Sequence, residues 1–333
     1  MSYSSELPVG LVAVVAAPVL FVATLPWTIQ SLFRLALSLR YRLVVVGLEH
    51  VPRRGPVLLV SNHVTWIDGF ILAAVLPRQG RALVNADYIA MPGLSHLARW
   101  VGLIPVASKG PHAQRAAIRA GQEALDRGYV LGIFPEAQLS RNGLTGAFLR
   151  GLEMILRGRE HVPVVPVFLD NLWGSIFSFS GGSTFQKRPN GWRRTVIISF
   201  GPPIPPPVTT FAVRQGVVEA GVRAFAHRPG PSAPLETIDP ALPRLEVPGL
   251  GLLAASTADW DRGGIRQTGQ KPGTLGQAVP GVALRVVDDD GAPLPADADG
   301  HLQALLAGRP DWLPTGLRAR LDRDGFVRLA DPS

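Results

Sequence analysis

The chain has 333 residues, of which 47% are hydrophobic and 17% are charged, and its mean hydropathy is +0.20. This apolar content excludes a disordered or fibrous chain and favours contact with a membrane. With 33 basic and 25 acidic residues the net charge is +8, which favours an anionic partner: a nucleic acid, a phospholipid surface or an acidic carrier. The absence of cysteine excludes disulfides, thiolate catalysis and cysteine-ligated zinc.

The first predicted element is an apolar N-terminal segment. Leu7–Phe33 contains no charged residue, and a run of this length can span a bilayer. Arg34, Arg40 and Arg42 follow it, so the positive-inside rule places the rest of the chain in the cytoplasm. We therefore expect residues 1–40 to form an inner-membrane anchor and an amphipathic helix, with the rest of the chain on the cytoplasmic side. The alternative is a segment that lies in the membrane interface without crossing.

Beyond the anchor, short β-rich runs alternate with helical patterns. The predicted strands are Leu43–Leu48, Val57–Val60, Arg81–Asn85, Leu103–Val106, Tyr129–Phe134, Val162–Phe168 and Thr195–Phe200. The predicted helices are Gly69–Leu76, Gly93–Val101, Ala113–Arg127, Phe148–Arg157 and Ala212–Ala226. Apolar strands that alternate with helices are typical of an α/β domain, a mainly parallel sheet flanked by helices, here over residues 41–226. A Pro-rich linker is expected over 227–250, followed by a small β-rich unit over 251–333.

The most informative motif, Ser-Asn-His-Val-Thr-Trp-Ile-Asp, directly follows the predicted strand Val57–Val60. His63 lies just past the strand end, in a βα loop, where open α/β sheets place reactive groups. Asp68 can fold back over one turn and accept a hydrogen bond from the imidazole, which would orient it as a general base. The alternative is a histidine that caps the next helix while Asp68 binds backbone groups.

A second motif, Phe-Pro-Glu-Ala over residues 134–137, opens a turn after another strand. Glu136 could accept hydrogen bonds from a polyol, while Arg141 and nearby backbone N–H groups suit a phosphate. On its own, such a loop more often carries a surface ion pair. Two further motifs are weaker. In Gly102–Lys109, the charge of Lys109 could simply be solvated. Val162–Val167 could simply be a buried strand.

In this order, the four motifs resemble the glycerolipid acyltransferase family, which acylates lysophosphatidic acid and related lysophospholipids. That family carries an Asn-His-x4-Asp block, a Gly-x-Ile-Pro-Val-like block, Phe-Pro-Glu-Gly and a Val-Pro-Val-x-Pro-Val strand. The resemblance covers residues 41–207. A closer resemblance is to the acyltransferase part of fused 2-acylglycerophosphoethanolamine acyltransferase/acyl-ACP synthetases, through residues 140–143 and 170–182.

The resemblance implies transfer of a fatty acyl group from acyl-ACP or acyl-CoA to a free hydroxyl of lysophosphatidic acid or lysophosphatidylethanolamine, in phospholipid synthesis or remodelling. His63 would be the general base, and Asp68 would orient it. The residues implied in substrate binding are Asn62, Lys109, Phe134, Pro135, Glu136, Ala137, Ser140 and Arg141. No metal or other cofactor is implied, since one His and one Asp are too few ligands.

Two positions depart from the family pattern. Ala137 replaces the family glycine, and its Cβ would crowd the turn or oppose a positive φ. Ser108 stands where many members have a phosphate-binding arginine, for which Lys109 could substitute only as a point charge.

Beyond the linker, residues 270–282 and 312–326 resemble adenylate-forming acyl-activating enzymes. The ATP phosphate loop is missing, and Leu317 stands where that family has a ribose-binding Asp. The resemblance therefore implies a degenerate remnant that cannot activate acids. We expect few contacts across the linker, so that a chain cut near Gly230 would keep its acyltransferase activity.

A basic cluster provides a candidate membrane or carrier contact. Its members are Lys187, Arg188, Trp192, Arg193 and Arg194. No nucleic-acid-binding motif accompanies it, so the expected partners are membrane phospholipid, the lysophospholipid substrate, and acyl carrier protein or a coenzyme A thioester. A non-catalytic lipid- or acyl-carrier-binding membrane protein derived from such an enzyme is the alternative.

Overall fold

A computed structural model describes residues 28, 31–32, 34–35, 37–86, 102–107, 110–182, 193–230, 237–263 and 265–330. Within these residues, a seven-stranded sheet occupies the first part of the chain, and smaller antiparallel sheets form the C-terminal part.

The large sheet is built from apolar strands. They are β1 (Tyr41–Val46), β2 (Val57–Ser61), β3 (Gly80–Asn85), β4 (Leu103–Val106), β5 (Val130–Ile133), β6 (Val164–Asp170) and β7 (Arg194–Phe200). Their spatial order is β1-β7-β6-β2-β5-β3-β4, and each neighbouring pair is parallel except β6 with β7. The prediction of a mainly parallel sheet is confirmed.

Helices cover both faces of this sheet. They are α1 (Asp68–Val75), α2 (Pro111–Asp126), α3 (Gly151–Leu156) and α4 (Thr210–Phe225), and a 3-10 turn lies at Leu48–His50. Successive residues of β2 point to opposite faces: Leu59 packs with α1, whereas Leu58 packs with α2, α3 and α4. All five residues of β2 are buried, because this strand has a helix layer on each side.

The predicted elements agree with these to within a few residues at their ends. The predicted helix Gly93–Val101 lies outside the described residues, as does nearly all of the predicted anchor Leu7–Phe33. No helix in the described part of the chain combines the length and apolarity needed to cross a bilayer.

The C-terminal unit is β-rich, as predicted. Its strands are β8 (Arg244–Val247), β9 (Gly251–Ala255), β10 (Trp260–Arg262), β11 (Ile265–Gln267), β12 (Gln277–Ala278), β13 (Val282–Val287), β14 (Gly300–Leu306), β15 (Leu313–Leu321) and β16 (Val327–Leu329). Strand β8 falls inside the expected linker 227–250 and pairs with β9, so this stretch is partly folded. The domain boundaries themselves stay a prediction.

The expectation of few contacts between the two parts is wrong. Helix α4 packs against β13, where the Gln215 side chain donates a hydrogen bond to the Leu284 carbonyl at 2.6 Å. Val222 on the same helix is buried together with Ala283 and Leu305 of the C-terminal unit. The reason is that α4 is apolar on two sides and needs a second layer to cover it.

Candidate active site

The site is built around a histidine at the carboxyl end of β2. His63 follows this strand by two residues, and its Nδ1 lies 2.9 Å from Oδ2 of Asp68, the first residue of α1. Asp68 has no exposed surface, and its carboxylate also accepts hydrogen bonds from the Val64 and Thr65 backbone N–H groups at 2.6 and 2.9 Å. The Thr65 hydroxyl donates to the other carboxylate oxygen.

These contacts assign the imidazole tautomer. The donors around Asp68 hold its oxygens as acceptors, so the proton of the neutral ring belongs on Nδ1 and the lone pair on Nε2. The ring stacks on Phe134 with centroids 4.2 Å apart, and the His63 side chain is 23% exposed. A partly exposed, oriented imidazole can take a proton from a hydroxyl group. The alternative of a helix-capping histidine with Asp68 bonded only to backbone does not fit, since the carboxylate contacts the ring directly.

Asn62 has a structural task in this geometry. Its side-chain oxygen accepts from the Leu169 backbone N–H at 2.8 Å, and its NH2 group donates to the Leu169 carbonyl at 3.1 Å. The side chain is buried and ties the end of β2 to β6. We therefore assign Asn62 to positioning the His63 loop, which differs from the predicted substrate contact.

Glu136 also acts within the protein. Its two carboxylate oxygens accept hydrogen bonds from the backbone N–H groups of His63 at 3.0 Å and Gly146 at 2.9 Å. Burial raises the pKa of this carboxyl to about 7 from an ordinary 4.5, although both N–H groups oppose the shift. Both oxygens are thus engaged with backbone, so Glu136 fixes the His63 loop against the turn that follows β5.

The residues after Glu136 form an irregular loop beside His63. Ala137 has φ 52°, so its backbone is in the left-handed conformation. A Cβ opposes this conformation, as expected from the sequence, and Ala137 adopts it nevertheless. The Ser140 N–H donates to the His63 carbonyl at 2.8 Å, which holds the loop against this histidine. The Arg141 guanidinium lies over the Phe179 ring at 3.3 Å. Pro135 supports this loop by accepting from the Leu149 N–H at 2.9 Å.

Four predicted contact residues lie outside the described residues: Lys109, Lys187, Arg188 and Trp192. Ser108, which replaces the family arginine, also lies outside them. Arg193 is exposed, whereas Arg194 begins β7, and burial lowers the pKa of its guanidinium.

In the described ranges, no three His, Asp or Glu side chains converge as metal ligands would.

Sequence reasoning missed residues that act through their neighbours. Thr65 could have been found, because a Thr three residues before an Asp at a helix start commonly shares hydrogen bonds with it. Arg214 on α4 had no sequence signal, yet its buried guanidinium donates to the carbonyls of Thr145 and Gly146 at 2.8 and 3.1 Å. Asn142, also missed, is buried in the loop between Ser140 and Thr145.

Comparison with known proteins addresses the chemistry of this region. Residues 42–170 match the family model named Acyltransferase. The matched segment, which is less than half of the chain, is similar to acyltransferase domains. Chloroplastic 1-acyl-sn-glycerol-3-phosphate acyltransferase BAT2 of Brassica napus is 26% identical over 130 residues, which cover 39% of this chain and 37% of that protein.

Two further similarities concern bacterial proteins. A 1-acyl-sn-glycerol-3-phosphate acyltransferase of Borreliella burgdorferi is 24% identical over 143 residues, covering 42% of this chain and 57% of the relative. The crystal structure of the 1-acyl-sn-glycerophosphate (LPA) acyltransferase PlsC from Thermotoga maritima has a TM-score of 0.48 and 22% identity, over 60% of this chain and 77% of that structure. The chain thus spans 37% to 57% of the length of these curated relatives.

The strained backbone at Ala137 gives a first prediction. Replacement of Ala137 by glycine should raise the free energy of unfolding by about 1 kcal/mol, because glycine adopts positive φ without steric cost. Chemical denaturation measures the change. Ala147→Gly is the matched control: Ala147 is likewise exposed in this loop, but its φ is not positive, so there glycine should destabilise. Equal effects of the two substitutions on the free energy of unfolding would contradict a strained backbone at Ala137.

The buried carboxyl of Glu136 gives a second prediction. Its pKa is about 7 in the folded protein and 4.5 ordinarily, so between these values the folded state binds the proton that the unfolded chain releases. This group therefore contributes stability below its unfolded pKa, and the contribution is lost as the pH rises through 7. Relative to Glu136→Gln, the wild-type protein should lose up to about 3 kcal/mol between about pH 5 and about pH 8. Parallel pH profiles of unfolding for the two proteins would show that Glu136 titrates normally.

Proposed function

We propose that this protein transfers a fatty acyl group from an acyl thioester, acyl-ACP or acyl-CoA, to a free hydroxyl of a lysophospholipid. The single observation that carries the proposal is the contact of His63 with the fully buried Asp68 at the carboxyl end of β2. The acyltransferase family match and the printed names of the relatives support it. Those names favour lysophosphatidic acid as acceptor, and lysophosphatidylethanolamine is the second candidate.

In the proposed reaction, His63 acts directly on the acceptor. Nε2 takes the proton of the hydroxyl as its oxygen attacks the thioester carbonyl carbon. The C–S bond then breaks, and the proton passes from the imidazolium to the departing thiolate, which leaves an ester and a free thiol. A base of this kind contributes about 10²–10⁴-fold to the rate. Asp68 contributes by holding the ring in the productive tautomer and by stabilising the imidazolium.

The leaving group explains why one step is sufficient. A thiolate departs readily, so the acceptor can attack the thioester without a covalent acyl-enzyme. The chain has no cysteine, which excludes a thiol nucleophile. In the proposal the protein supplies the base and holds the two substrates together, which can itself account for several orders of magnitude.

The loop that follows Glu136 is the proposed acceptor-binding element. Arg141 supplies a fork of N–H donors suited to a phosphate, and Ser140 lies beside it, with its N–H on the His63 carbonyl. A phosphate bound at Arg141 would therefore lie on the segment that contacts the histidine. In the proposal, the phosphate and the free hydroxyl of the acceptor belong to the same glycerol unit.

We also propose that the protein works at the inner membrane with its catalytic domain on the cytoplasmic side. Leu32, Leu35 and Leu39 are each more than 60% exposed and are spaced three and four residues apart, which places them on one helix face. Arg34 donates a hydrogen bond to the Leu76 carbonyl at 3.2 Å, at the end of α1. An apolar face attached to α1 would hold the site near its lipid acceptor.

The resemblance of the C-terminal unit supports a further part of the proposal. The likeness of residues 270–282 and 312–326 to adenylate-forming enzymes favours descent from a fused acyltransferase/acyl-ACP synthetase. We propose that the unit does not activate acids, since the ATP phosphate loop is missing from this sequence.

The third prediction tests the base. His63→Ala should reduce acyl transfer by about a thousandfold, and Asp68→Asn by about a hundredfold or more, because the first removes the base and the second favours the wrong tautomer. The assay follows labelled acyl-ACP and acyl-CoA with a panel of lysophospholipids. His161→Ala is the control, since His161 is exposed and lies before the amino end of β6, whereas His63 lies beyond the carboxyl end of the parallel strand β2. Near-normal acyl transfer by His63→Ala would rule out this mechanism. If the wild-type protein transfers an acyl group to none of the acceptors, a non-catalytic binding protein is favoured instead.

The fourth prediction tests membrane contact. Leu35→Glu should weaken co-sedimentation with anionic phospholipid vesicles several-fold, because a charge replaces an apolar contact. Leu329→Glu is the matched control, since Leu329 is an exposed leucine of the C-terminal unit. Equal binding of both variants would contradict the proposed face.

A further inference from the structure

We infer that the C-terminal β unit completes the acceptor site: Gln267, Thr257 and Trp260 position the loop segment 138–142, which carries Ser140 and Arg141. The inference rests on the proposed function for the identity of the acceptor. It assigns a task to a unit whose sequence indicates only a degenerate remnant.

Asn142 is the centre of the connection. Its NH2 group donates to the Thr257 hydroxyl at 2.9 Å, and its side-chain oxygen accepts from the Gln267 NH2 group at 2.5 Å. The same oxygen accepts from the Leu144 N–H at 3.0 Å. Asn142, Thr257 and Gln267 are all buried, so water cannot replace the partner that a substitution removes.

Residues within 237–267 also bind the backbone of the segment and its Gln138 side chain. The Arg141 N–H donates to the Gln267 side-chain oxygen at 2.5 Å, so one glutamine binds two successive residues of the loop. The Thr237 hydroxyl donates to the Asn142 carbonyl at 2.6 Å, and the Gln138 NH2 group donates to the Arg266 carbonyl at 2.9 Å. Each contact joins the segment to a residue far away in sequence.

The Arg141 side chain is held as well. Its guanidinium lies 3.3 Å from the centroid of the Phe179 ring and 5.6 Å from that of the Trp260 ring. Trp260 begins β10, so the β10–β11 hairpin supplies one of these two rings. The Arg262 guanidinium also lies over the Trp260 indole, 5.4 Å from its centroid.

The segment needs these contacts because it has no regular structure of its own. Residues 134–150 contain no helix or strand, so side-chain hydrogen bonds must fix their conformation. Ser140 connects the segment to the catalytic histidine through its N–H on the His63 carbonyl. Release of Asn142 would therefore move the proposed phosphate ligand Arg141 relative to His63. Gln267, Thr257 and Trp260 are positioning residues, since each acts through this loop.

The kinetic test compares acceptors with and without a phosphate. Gln267→Ala, Thr257→Val and Trp260→Ala should each raise the KM for a lysophospholipid about tenfold, with the KM for the acyl thioester unchanged. Transfer to a monoacylglycerol, which lacks the phosphate, should change less than twofold. Gln215→Ala is the matched control, because it removes an equivalent glutamine hydrogen bond between the two units, which is made to the Leu284 carbonyl and not to segment 138–142. Wild-type KM values in the three variants, or a control with the same loss, would overturn the inference.

A second measurement does not depend on activity. Hydrogen exchange of the peptide covering residues 138–146 should become at least tenfold faster in Gln267→Ala and stay unchanged in Gln215→Ala. If the wild-type protein transfers no acyl group, the proposed function fails while the exchange still tests the positioning. If transfer is normal and exchange is equal in the two variants, the function stands and the positioning is wrong.

Discussion

Asp68 places a carboxylate out of contact with water, and the protein compensates for this with four hydrogen-bond donors: two backbone N–H groups, the Thr65 hydroxyl and the His63 ring. A buried charge without such partners would cost several kcal/mol. The turn from β2 into α1 must therefore bring these donors together. The orientation of His63 follows from that requirement, and Phe134 and Glu136 then fix the position of the loop.

Part of this arrangement could be predicted from the sequence. The parallel strands were recognisable because strands covered on both faces are continuous apolar runs, as in β2 and β6. The contact of His63 with Asp68 followed from a local spacing of five residues. The tasks of Asn62 and Glu136 could not be predicted, because their partners depend on which strands are neighbours in the sheet. Asn62 binds Leu169 of β6, more than a hundred residues away in sequence.

The C-terminal unit shows the same limit more clearly. Its resemblance to adenylate-forming enzymes predicts a degenerate remnant, and the Pro-rich stretch before it predicts an independent linker. The contacts between Gln267 and Asn142, and between Arg141 and Trp260, carry no local pattern, so only the three-dimensional structure brings them together. In the proposed account, these contacts give the C-terminal unit a physical task, because they hold the loop that carries Ser140 and Arg141.

The central claim is that Asp68 holds His63 with its proton on Nδ1 and its lone pair on Nε2. The most direct measurement is 15N NMR of the His63 ring in the wild-type protein and in Asp68→Asn. The spectra are recorded at a pH at which they themselves show that the ring is neutral. We expect one tautomer in the wild-type protein, with Nδ1 protonated and Nε2 bare, and a shift toward the Nε2-protonated form in Asp68→Asn. A wild-type ring protonated at Nε2, or one that exchanges freely between both tautomers, would contradict the account.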